Sequence, residues 1–495
     1  MHAPQFDLFG DATTSAVSVP GIRDALHIST VSFSASNTGS PRLNIENRTL
    51  LALSGITAGC HVRPEFGADF VYLRRLARAA HDSIAVVGKS YPNRDQSETT
   101  GARVDLRRAQ LRDVFGNEAT LLVAYCDGGL LITLLPTRKV ARQRWESLAR
   151  AAQSGKLTTG SLYTGFGTLD AAAHAGLEAA GYIARSVFAN DIWGAAIEAL
   201  LADNPARPKH AFACGIDQLL AMGDEAPLPT PDILIMGVPC KGASKLNIEH
   251  RDMPELHPVV GHQVLNVAMF LRGLKFAPAI IVLENVIPWS DTVSYSMLVR
   301  VLDEQGYKTM LVGDREGEVY RGLLGSDFGD MERRRRMALI GYPPELDEHL
   351  DFTTMTRRQS STTVADIRLP EDQIPADEYE KGLGLAAKAA KGFNNKIVND
   401  TDTTTPPMSA SCWKQRPEDP KFRKPGQPDN SRLPKPEEHA RLKGQPERLI
   451  RSLAADTHAH TALGNGTTRK LWTEFFRSLG VAMQSASARP VALAA

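Results

Sequence analysis

Pro231-Asp232-Ile233-Leu234-Ile235-Met236-Gly237-Val238-Pro239-Cys240-Lys241-Gly242-Ala243-Ser244 is the stretch on which the reading of this chain turns. A short apolar run stops abruptly at Pro-Cys and small residues. That is the pattern of a buried strand delivering a thiol to the carboxyl edge of a sheet. Forty-four residues after Cys240, a second apolar run, Ala279-Ile280-Ile281-Val282-Leu283, has ended in Glu284-Asn285-Val286. A thiol and a carboxyl at two strand ends are the parts needed for nucleophilic attack on a ring that is protonated as it is attacked. Alone, a Pro-Cys pair is more simply read as packing, because free cysteine is among the most buried residue types. The pairing with Glu-Asn-Val is what raises it above that reading.

Working towards the N-terminus, strands alternate with helices from residue 158 onward, the mark of an α/β fold with a mostly parallel sheet. Ser161-Leu162-Tyr163 runs into Thr164-Gly165-Phe166-Gly167-Thr168, and an Ala-rich helix follows from Ala171 to Gly181. The next strand, Val187-Phe188-Ala189-Asn190-Asp191, ends in an acid 26 residues after Gly165. A glycine turn followed by an acid at the end of the second strand is how such sheets hold an adenosyl cofactor: backbone approaches closely and a carboxylate takes the ribose hydroxyls. A tight turn with a surface acid gives the same pattern, so this signal is weak by itself.

Further upstream, residues 31–145 contain an internal repeat. A shift of 61 positions places Leu43 on Val104, Ile45 on Leu106, Leu50 on Leu111, Leu53 on Val114, Gly55 on Gly116, Val62 on Val123, Val71 on Ile132 and Leu73 on Leu134. Alternating Leu121-Leu122-Val123-Ala124-Tyr125 and Leu130-Leu131-Ile132-Thr133-Leu134 flank Asp127-Gly128-Gly129, a hairpin signal. The segment is thus expected to be a β-rich duplicated domain, behind a disordered leader over 1–30 and ahead of a helical, charged linker over 146–157. Its spacing resembles the swapped-hairpin barrels of AbrB-type DNA-binding proteins. A supporting or self-associating module fits the pattern equally well.

Towards the C-terminus, residues 342–450 lose periodicity and become rich in Thr, Pro, Asp and Lys. Between Trp413 and Arg448 stand ten Lys/Arg and six acids, a net of +4. A phosphate-tracking surface and a solvated loop both look like this. The final stretch, 451–485, carries Gly464-Asn465 and a helix whose Leu471, Phe475 and Leu479 are spaced to pack on the sheet; a tail covers 486–495.

Composition sets the bounds. The 495 residues are 42% apolar and 23% charged, ordinary for a globular chain of two or three domains. A formal net charge of +1 leaves any nucleic-acid affinity to local patches. Cys60, Cys126, Cys214, Cys240 and Cys412 have no CxxC spacing, which points to a reducing, cytoplasmic setting without a disulfide framework or zinc ribbon, and no metal is expected. Neither a membrane-length apolar run nor a signal peptide is evident.

With these residues in view, the chain from about 160 onward resembles the DNA (cytosine-5) methyltransferases. Tyr163-Thr164-Gly165-Phe166-Gly167 is similar to that family's Phe-x-Gly-x-Gly turn. Gly237–Ser244 resembles its Pro-Cys-Gln-x-x-Ser nucleophile loop, and Glu284-Asn285-Val286 its Glu-Asn-Val motif. Glu332-Arg333-Arg334-Arg335-Arg336 looks like Gln-x-Arg-x-Arg. Arg432–Gly444 is similar to Arg-Leu-Thr-Pro-Arg-Glu-x-Ala-Arg-Leu-Gln-Gly, and Gly464-Asn465 to a terminal Gly-Asn. Six partly degenerate motifs in one fixed order are far more specific than any one of them.

The resemblance implies a Rossmann-like, S-adenosylmethionine-dependent methyltransferase domain over 158–341, completed by 451–485. It also implies a loop-rich target-recognition domain at 342–450. Catalytic roles then fall to Cys240 as nucleophile, Glu284 as acid, Arg336 at the base's exocyclic oxygen, Arg334 behind the nucleophile loop and Asn285 between the two strand ends. Cofactor-binding roles fall to Tyr163, Gly165, Gly167, Asp191, Ile192, Pro239 and Asn465. The polar segment Lys241–Leu256, with Asn247, His250, Arg251 and Asp252, is expected to close over a flipped base.

Three departures stand out: Thr168 where a third glycine is usual, and Lys241 and Glu332 each where glutamine is usual. An adenine-contacting acid is displaced if Asp217 is its counterpart. Double-stranded DNA is the implied partner. A cognate restriction endonuclease, and DNA binding or self-association by the N-terminal repeat, remain open. Two rivals stand beside this reading: a DNA-binding regulator using the repeat, and an RNA cytosine-5 methyltransferase, which usually carries Thr-Cys where this chain has Glu-Asn-Val. A nucleotide-dependent oxidoreductase is weaker, for want of GxGxxG.

Overall fold

The computed structural model describes residues 19–34, 41–92, 98–226, 228–240, 243, 254–274, 277–313, 315–316, 319–320, 322–379, 396–414 and 416–488. They fall into two compact units divided between Lys139 and Val140.

The first unit is one sheet whose path runs β5-β3-β4-β9-β8-β1-β2-β7-β6. The strands are β1 (His27–Ser34), β2 (Arg42–Ile45), β3 (His61–Phe66), β4 (Phe70–Leu76), β5 (Ile84–Ala85), β6 (Val87–Pro92), β7 (Glu98–Arg107), β8 (Thr120–Cys126) and β9 (Gly129–Leu134). The two ends of the path, β5 and β6, are joined in the chain through buried Val86, so the sheet closes on itself as a barrel. Residues 61 positions apart occupy equivalent elements. Short helices α1 (Arg48–Leu53) and α2 (Gln110–Phe115) correspond, and Gly55 and Gly116 follow them at φ 74° and 59°.

The pairing is symmetric: Leu43 lies opposite Leu106 and Ile45 opposite Val104. Val71 lies opposite Ile132, its own counterpart in the other copy. Leu43, Val62, Val71, Val104, Leu111, Val123 and Ile132 are all at zero exposure in one core, so the repeated positions are the barrel interior. The barrel starts earlier than expected. β1 begins at His27, inside the leader assigned to 1–30, because Val31 and Phe33 alternate inward while the flanking serines turn out.

The 146–157 linker is not a linker. Helix α3 (Pro136–Ser154) continues through it and β10 (Lys156–Leu162) follows directly. Leu148, Ala149 and Ala152 are buried, and the Arg144 guanidinium lies 3.8 Å over the Tyr307 ring. Most of the helix is therefore part of the second unit. Its apolar positions were masked by the charged residues between them.

The second unit is built on a sheet ordered β12-β11-β10-β13-β14-β19-β15, with β18 paired to β19. Its strands are β10, β11 (Ile183–Asn190), β12 (His210–Phe212), β13 (Ile233–Met236), β14 (Ile280–Asn285), β15 (Lys308–Val312), β18 (Leu323–Leu324) and β19 (Arg335–Tyr342); a hairpin of β16 (Arg315–Glu316) and β17 (Val319–Tyr320) stands apart. β10 to β14 run parallel to their neighbours and β19 antiparallel, so Glu284 lies opposite Ala338 and Asn285 opposite Met337. This is a Rossmann-like α/β sheet. β13 and β14 read as unbroken apolar runs because every residue in both is buried.

Helices α4 (Thr168–Ala179), α5 (Gly194–Asp203), α6 (Ile216–Ala221), α7 (Gln263–Gly273) and α8 (Val293–Glu304) connect these strands. Beyond β19 come α9 (Val364–Ile367), the small sheet β20 (Lys396–Val398), β21 (Pro420–Lys424) and β22 (Gln427–Arg432), then α10 (Pro436–Leu442), α11 (Asp456–Asn465) and α12 (Arg469–Ser487). α12 packs on α4 so closely that a Cβ on Gly176 would stand 2.3 Å from the Thr473 carbonyl oxygen. Leu471, Trp472, Phe475, Phe476 and Leu479 are all at zero exposure.

The boundaries 342–450 are too wide for a separate recognition region. Leu346, Leu350 and Met355 bury into the same core as α12, and Leu449 and Ile450 pack with α11. What stands apart has its own core of Val364, Ile367, Val398, Met408, Cys412 and Phe422. The charge run there is neither a free phosphate track nor solvated throughout. Arg432 and Glu438 form a buried pair at 2.7 Å, Lys435 meets Glu378, Arg441 meets Glu447, and buried Lys421 donates to the Asp419 carbonyl.

Candidate active site

A cavity of about 600 Å³ opens along the carboxyl edges of β10, β11, β13 and β14. At one end of it, the chain leaves β10 at Tyr163, whose φ of 54° is left-handed and strained for a residue with a side chain. The strain is held by neighbours: Tyr163 Oη donates to Gln263 Oε1 at 2.7 Å, and the Thr164 amide donates to the Asn190 carbonyl at 3.0 Å.

Asp191, just past β11, ties the turn. Its Oδ2 accepts from the Gly165 amide at 2.7 Å and its Oδ1 from the Trp193 amide at 2.9 Å. Burial pushes the Asp191 carboxyl above its usual range, and the backbone donors from Trp193 and Gly165 pull against that. Gly165, Asp191, Ile192, Pro239, Asn465 and Tyr163 all line the cavity. Gly167 is the exception among the expected cofactor residues: it is not among the lining residues. At φ 80° it caps α4, and a Cβ there would stand 2.3 Å from Leu200 Cδ1. It makes room for α5 and does not face a ligand.

At the other end, β13 and β14 present Cys240 and Glu284 to the same cavity. Asn285 Nδ2 donates to the Val238 carbonyl at 3.2 Å, bridging the two strand ends. Arg336, the second residue of β19, brings its Nε to 2.6 Å from Glu284 Oε1. The contact is an ion pair without hydrogen-bond alignment, since Glu284 Oε1 is buried and has no hydrogen-bond partner. Burial, then the neighbouring Arg334 charge, lowers the Arg336 affinity for its proton, while Glu284 and Cys240 oppose that. Arg334 also lines the cavity, and its Nη2 donates to the Gly464 carbonyl at 2.8 Å, which ties it to the C-terminal helices. The register within the arginine run is thus fixed: Arg334 and Arg336 turn to the cavity, and Arg333 and Arg335 are exposed.

Besides the residues given site roles from sequence, the cavity is lined by Thr168 and Asp217, noted above only as departures, and by residues the sequence did not single out. Thr168, set where glycine is usual, uses its hydroxyl to accept from the Thr467 amide at 3.1 Å, so the substitution joins the cofactor turn to the end of α11. Asp170 is buried and accepts from Thr164 Oγ1 at 2.6 Å. Phe166 and Trp193 supply aromatic walls, and Asp217 at the start of α6 reaches the cavity. Trp193 was open to detection, being two residues past the acid. Thr467 and Asp170 had no local pattern to announce them. Of the expected closing segment, Ala243 and 254–256 are described; Asn247, His250, Arg251 and Asp252 lie outside the described residues.

A parallel sheet with a glycine turn tied to an acid at one strand end, and a cysteine beside a glutamate at the next two, defines an α/β methyltransferase. The particular family follows from comparison. The sequence profile of the C-5 cytosine-specific DNA methylases matches residues 157–480, and the chain belongs to that family. Among curated proteins, the Type II methyltransferase M1.ScrFI of Lactococcus lactis subsp. cremoris is 26% identical over 258 residues, 49% of this chain. The chain spans 60% of that relative's length. Similar solved structures include the S. pombe Dnmt2 methyltransferase (TM-score 0.49, 18% identity, covering 66% of this chain and 98% of that one). The Entamoeba histolytica methyltransferase EhMeth is also similar (TM-score 0.49, 15% identity, 66% and 98%). Among the described residues no helix is long and apolar enough to cross a membrane.

Proposed function

We propose that this chain methylates carbon 5 of a cytosine flipped out of duplex DNA, using S-adenosylmethionine and a transient bond from Cys240 to the base. The observation that carries the reading is the convergence of Cys240, Glu284 and Arg336 on the cavity that also holds Asp191 and the glycine turn. The residues fit the cofactor. Asp191 keeps lone pairs for ribose hydroxyls after accepting two backbone N–H groups, and Phe166 and Trp193 wall the space beside it. The cofactor supplies an electrophilic methyl on sulfur when bound.

Carbon 5 of cytosine is a poor nucleophile. Cys240 as thiolate forms a bond to carbon 6, and the electron pair displaced through the ring is met by a proton that Glu284 delivers to ring nitrogen 3. Arg336, held beside Glu284, presents its guanidinium to the base's exocyclic oxygen. Once carbon 5 has taken the methyl, its proton leaves to a water-borne base, the Cys240 sulfur–carbon 6 bond breaks, and Glu284 recovers its proton from nitrogen 3. Base flipping costs a few kcal/mol, which contacts in the pocket offset.

The substrate is assigned to DNA and not RNA because the second strand end is Glu284-Asn285-Val286, and the family profile is that of a DNA methylase. Sequence recognition is assigned to the region around β20–β22, reading base edges in the major groove. The enzyme acts where DNA is, in the cytoplasm or nucleoid, without commitment to a companion restriction nuclease. The N-terminal barrel is assigned to DNA binding or self-association.

Bisulfite sequencing of genomic DNA from cells expressing the chain, beside a Cys240→Ala control, tests the reading. Protected cytosines in one short context, absent from the control, are expected. A folded, soluble chain that protects no context sinks it and turns attention to the regulator reading.

A further inference from the structure

Outside the cavity, three chemically potent side chains meet in the interior of the second unit. Cys412 comes from the recognition region, His439 from α10 and His460 from α11. All three are buried, and one ligand atom of each lies within 4.8 Å of the others. His439 Nδ1 and His460 Nδ1 stand 3.1 Å apart, with the rings stacked at 27°. Two imidazole nitrogens on a tetrahedral zinc ion, each at about 2.05 Å, would be separated by about 3.3 Å.

The two Nδ1 atoms face each other at 3.1 Å and share at most one proton as a hydrogen-bonded pair, whereas an ion between them engages both lone pairs. The cysteine is not explained by apolar packing alone, since two imidazoles are its neighbours.

We propose that Cys412, His439 and His460 bind a zinc ion. The donor set of one thiolate and two imidazoles suits zinc over calcium or magnesium, which take oxygen ligands. Three protein ligands leave a fourth tetrahedral position for water. The ion's charge is partly offset locally. Lys443 and Arg334 direct positive charge at His439, but Lys443 is paired with Glu332 at 2.8 Å, and the Cys412 thiolate cancels half the ion's charge.

The ion would pin the core to which Cys412 belongs with Val364 and Phe422 onto α10, which Lys443 follows, and onto α11, which carries Gly464 and Asn465. The ligands come from three segments separated by 27 and 21 residues, so no short cysteine spacing announces them. The proposal is independent of the methyl-transfer reading.

The test uses the full-length chain, dialysed against zinc and then against zinc-free buffer, with metal content measured by atomic emission. About one zinc per chain is expected, falling at least about tenfold in Cys412→Ser and in His460→Ala. Cobalt(II) in place of zinc is expected to give a thiolate charge-transfer band that Cys412→Ser removes. Chelation of the wild-type protein is expected to lower its melting temperature and zinc to restore it, a readout that stands even where a variant fails to fold. A folded wild-type chain that retains no zinc and melts identically with and without chelator overturns the proposal. So does a zinc content unchanged in Cys412→Ser and His460→Ala.

Discussion

Lys443 Nζ donates to Glu332 Oε2 at 2.8 Å, with neither side chain more than 1% exposed. Each residue stands where the matching family motif has glutamine, so two departures that look independent in sequence are one exchange of a neutral pair for an ionic one. The pair has further partners. Glu332 Oε1 accepts from the Met408 amide at 2.8 Å, and Lys443 Nζ also donates to the Gly466 carbonyl at 3.1 Å. It therefore links the segment between β20 and β21 to the chain beside Asn465. Burial raises the Glu332 carboxyl, but the Lys443 and Arg334 charges outweigh it and hold that carboxyl below its usual range. Burial brings the Lys443 ammonium down to about 7.

Breaking the pair from one side strands a buried charge. Lys443→Gln and Glu332→Gln are each expected to cost about 3–5 kcal/mol, whereas the double substitution restores the neutral pair and lies within about 1–2 kcal/mol of wild type. Denaturant unfolding of the four proteins measures the coupling. Additive losses in the double variant would contradict the compensating relationship.

Asp330 gives the clearest pH signature. It is 1% exposed, and its two oxygens accept from the Lys470 and Leu471 amides, both at 3.0 Å, so a residue distant in sequence caps α12. Burial pushes its carboxyl up to about 6, against the pull of those amides. Since the folded value lies above the unfolded one of about 3.9, the native state keeps a proton that the unfolded chain has lost, and stability falls as pH rises from about 4 through 6, by about 2–3 kcal/mol in all. Asp330→Asn is expected to remove that slope. Asp330→Ala is expected to remove it too, and to lose about 1–2 kcal/mol of capping. Melting curves between pH 4 and about 7 decide; an unchanged slope in Asp330→Asn would assign it to other groups.

What the sequence made legible, and what it hid, follows from the range of the interactions. Strand ends such as Met236 to Cys240 and Leu283 to Asn285 were readable because a wholly buried strand is a continuous apolar run and its end is abrupt. The duplicated barrel was readable because both copies spend the same positions on one interior. The α3 helix was missed as part of the second unit because Arg144 buries by stacking on Tyr307, a contact that looks polar in sequence. Thr168 with Thr467, Asp330 with Leu471 and Glu332 with Lys443 are joined across more than a hundred residues, where no local period reaches.

Asp191 is both a candidate ribose ligand and the knot of its own turn, and the two roles separate by substitution. Asp191→Asn keeps an oxygen for one of the two backbone amides and turns its NH2 on the other, so it is expected to weaken S-adenosylmethionine binding about tenfold with a fall in the melting temperature of the cofactor-free protein smaller than that of Asp191→Ala. Asp191→Ala releases both the Gly165 and Trp193 amides and is expected to lower that melting temperature as well. Calorimetric titration with the cofactor and thermal melts of the apo-protein read the two effects. Wild-type affinity in Asp191→Asn would remove the ribose role.

Glu284 and Cys240 should fail in different ways. Cys240→Ala removes the bond to carbon 6, so a duplex carrying 5-fluorocytosine at the target is no longer trapped, yet binding of that duplex persists because the flipped base still meets Glu284 and Arg336. Glu284→Gln keeps the shape but cannot pass a proton to ring nitrogen 3. A rate loss of about 10²–10⁴ is expected, with little change in KM for DNA. Arg336 makes the distinction sharper. Its Nε lies 2.6 Å from Glu284 Oε1, so Arg336→Ala removes a base contact and also the charge beside the acid, and both kcat and KM should suffer. Single-turnover methylation with denaturing-gel detection of the trapped complex measures all three. A Glu284→Gln enzyme that turns over at the wild-type rate would take the acid role from Glu284 and leave it a positioning residue for Arg336.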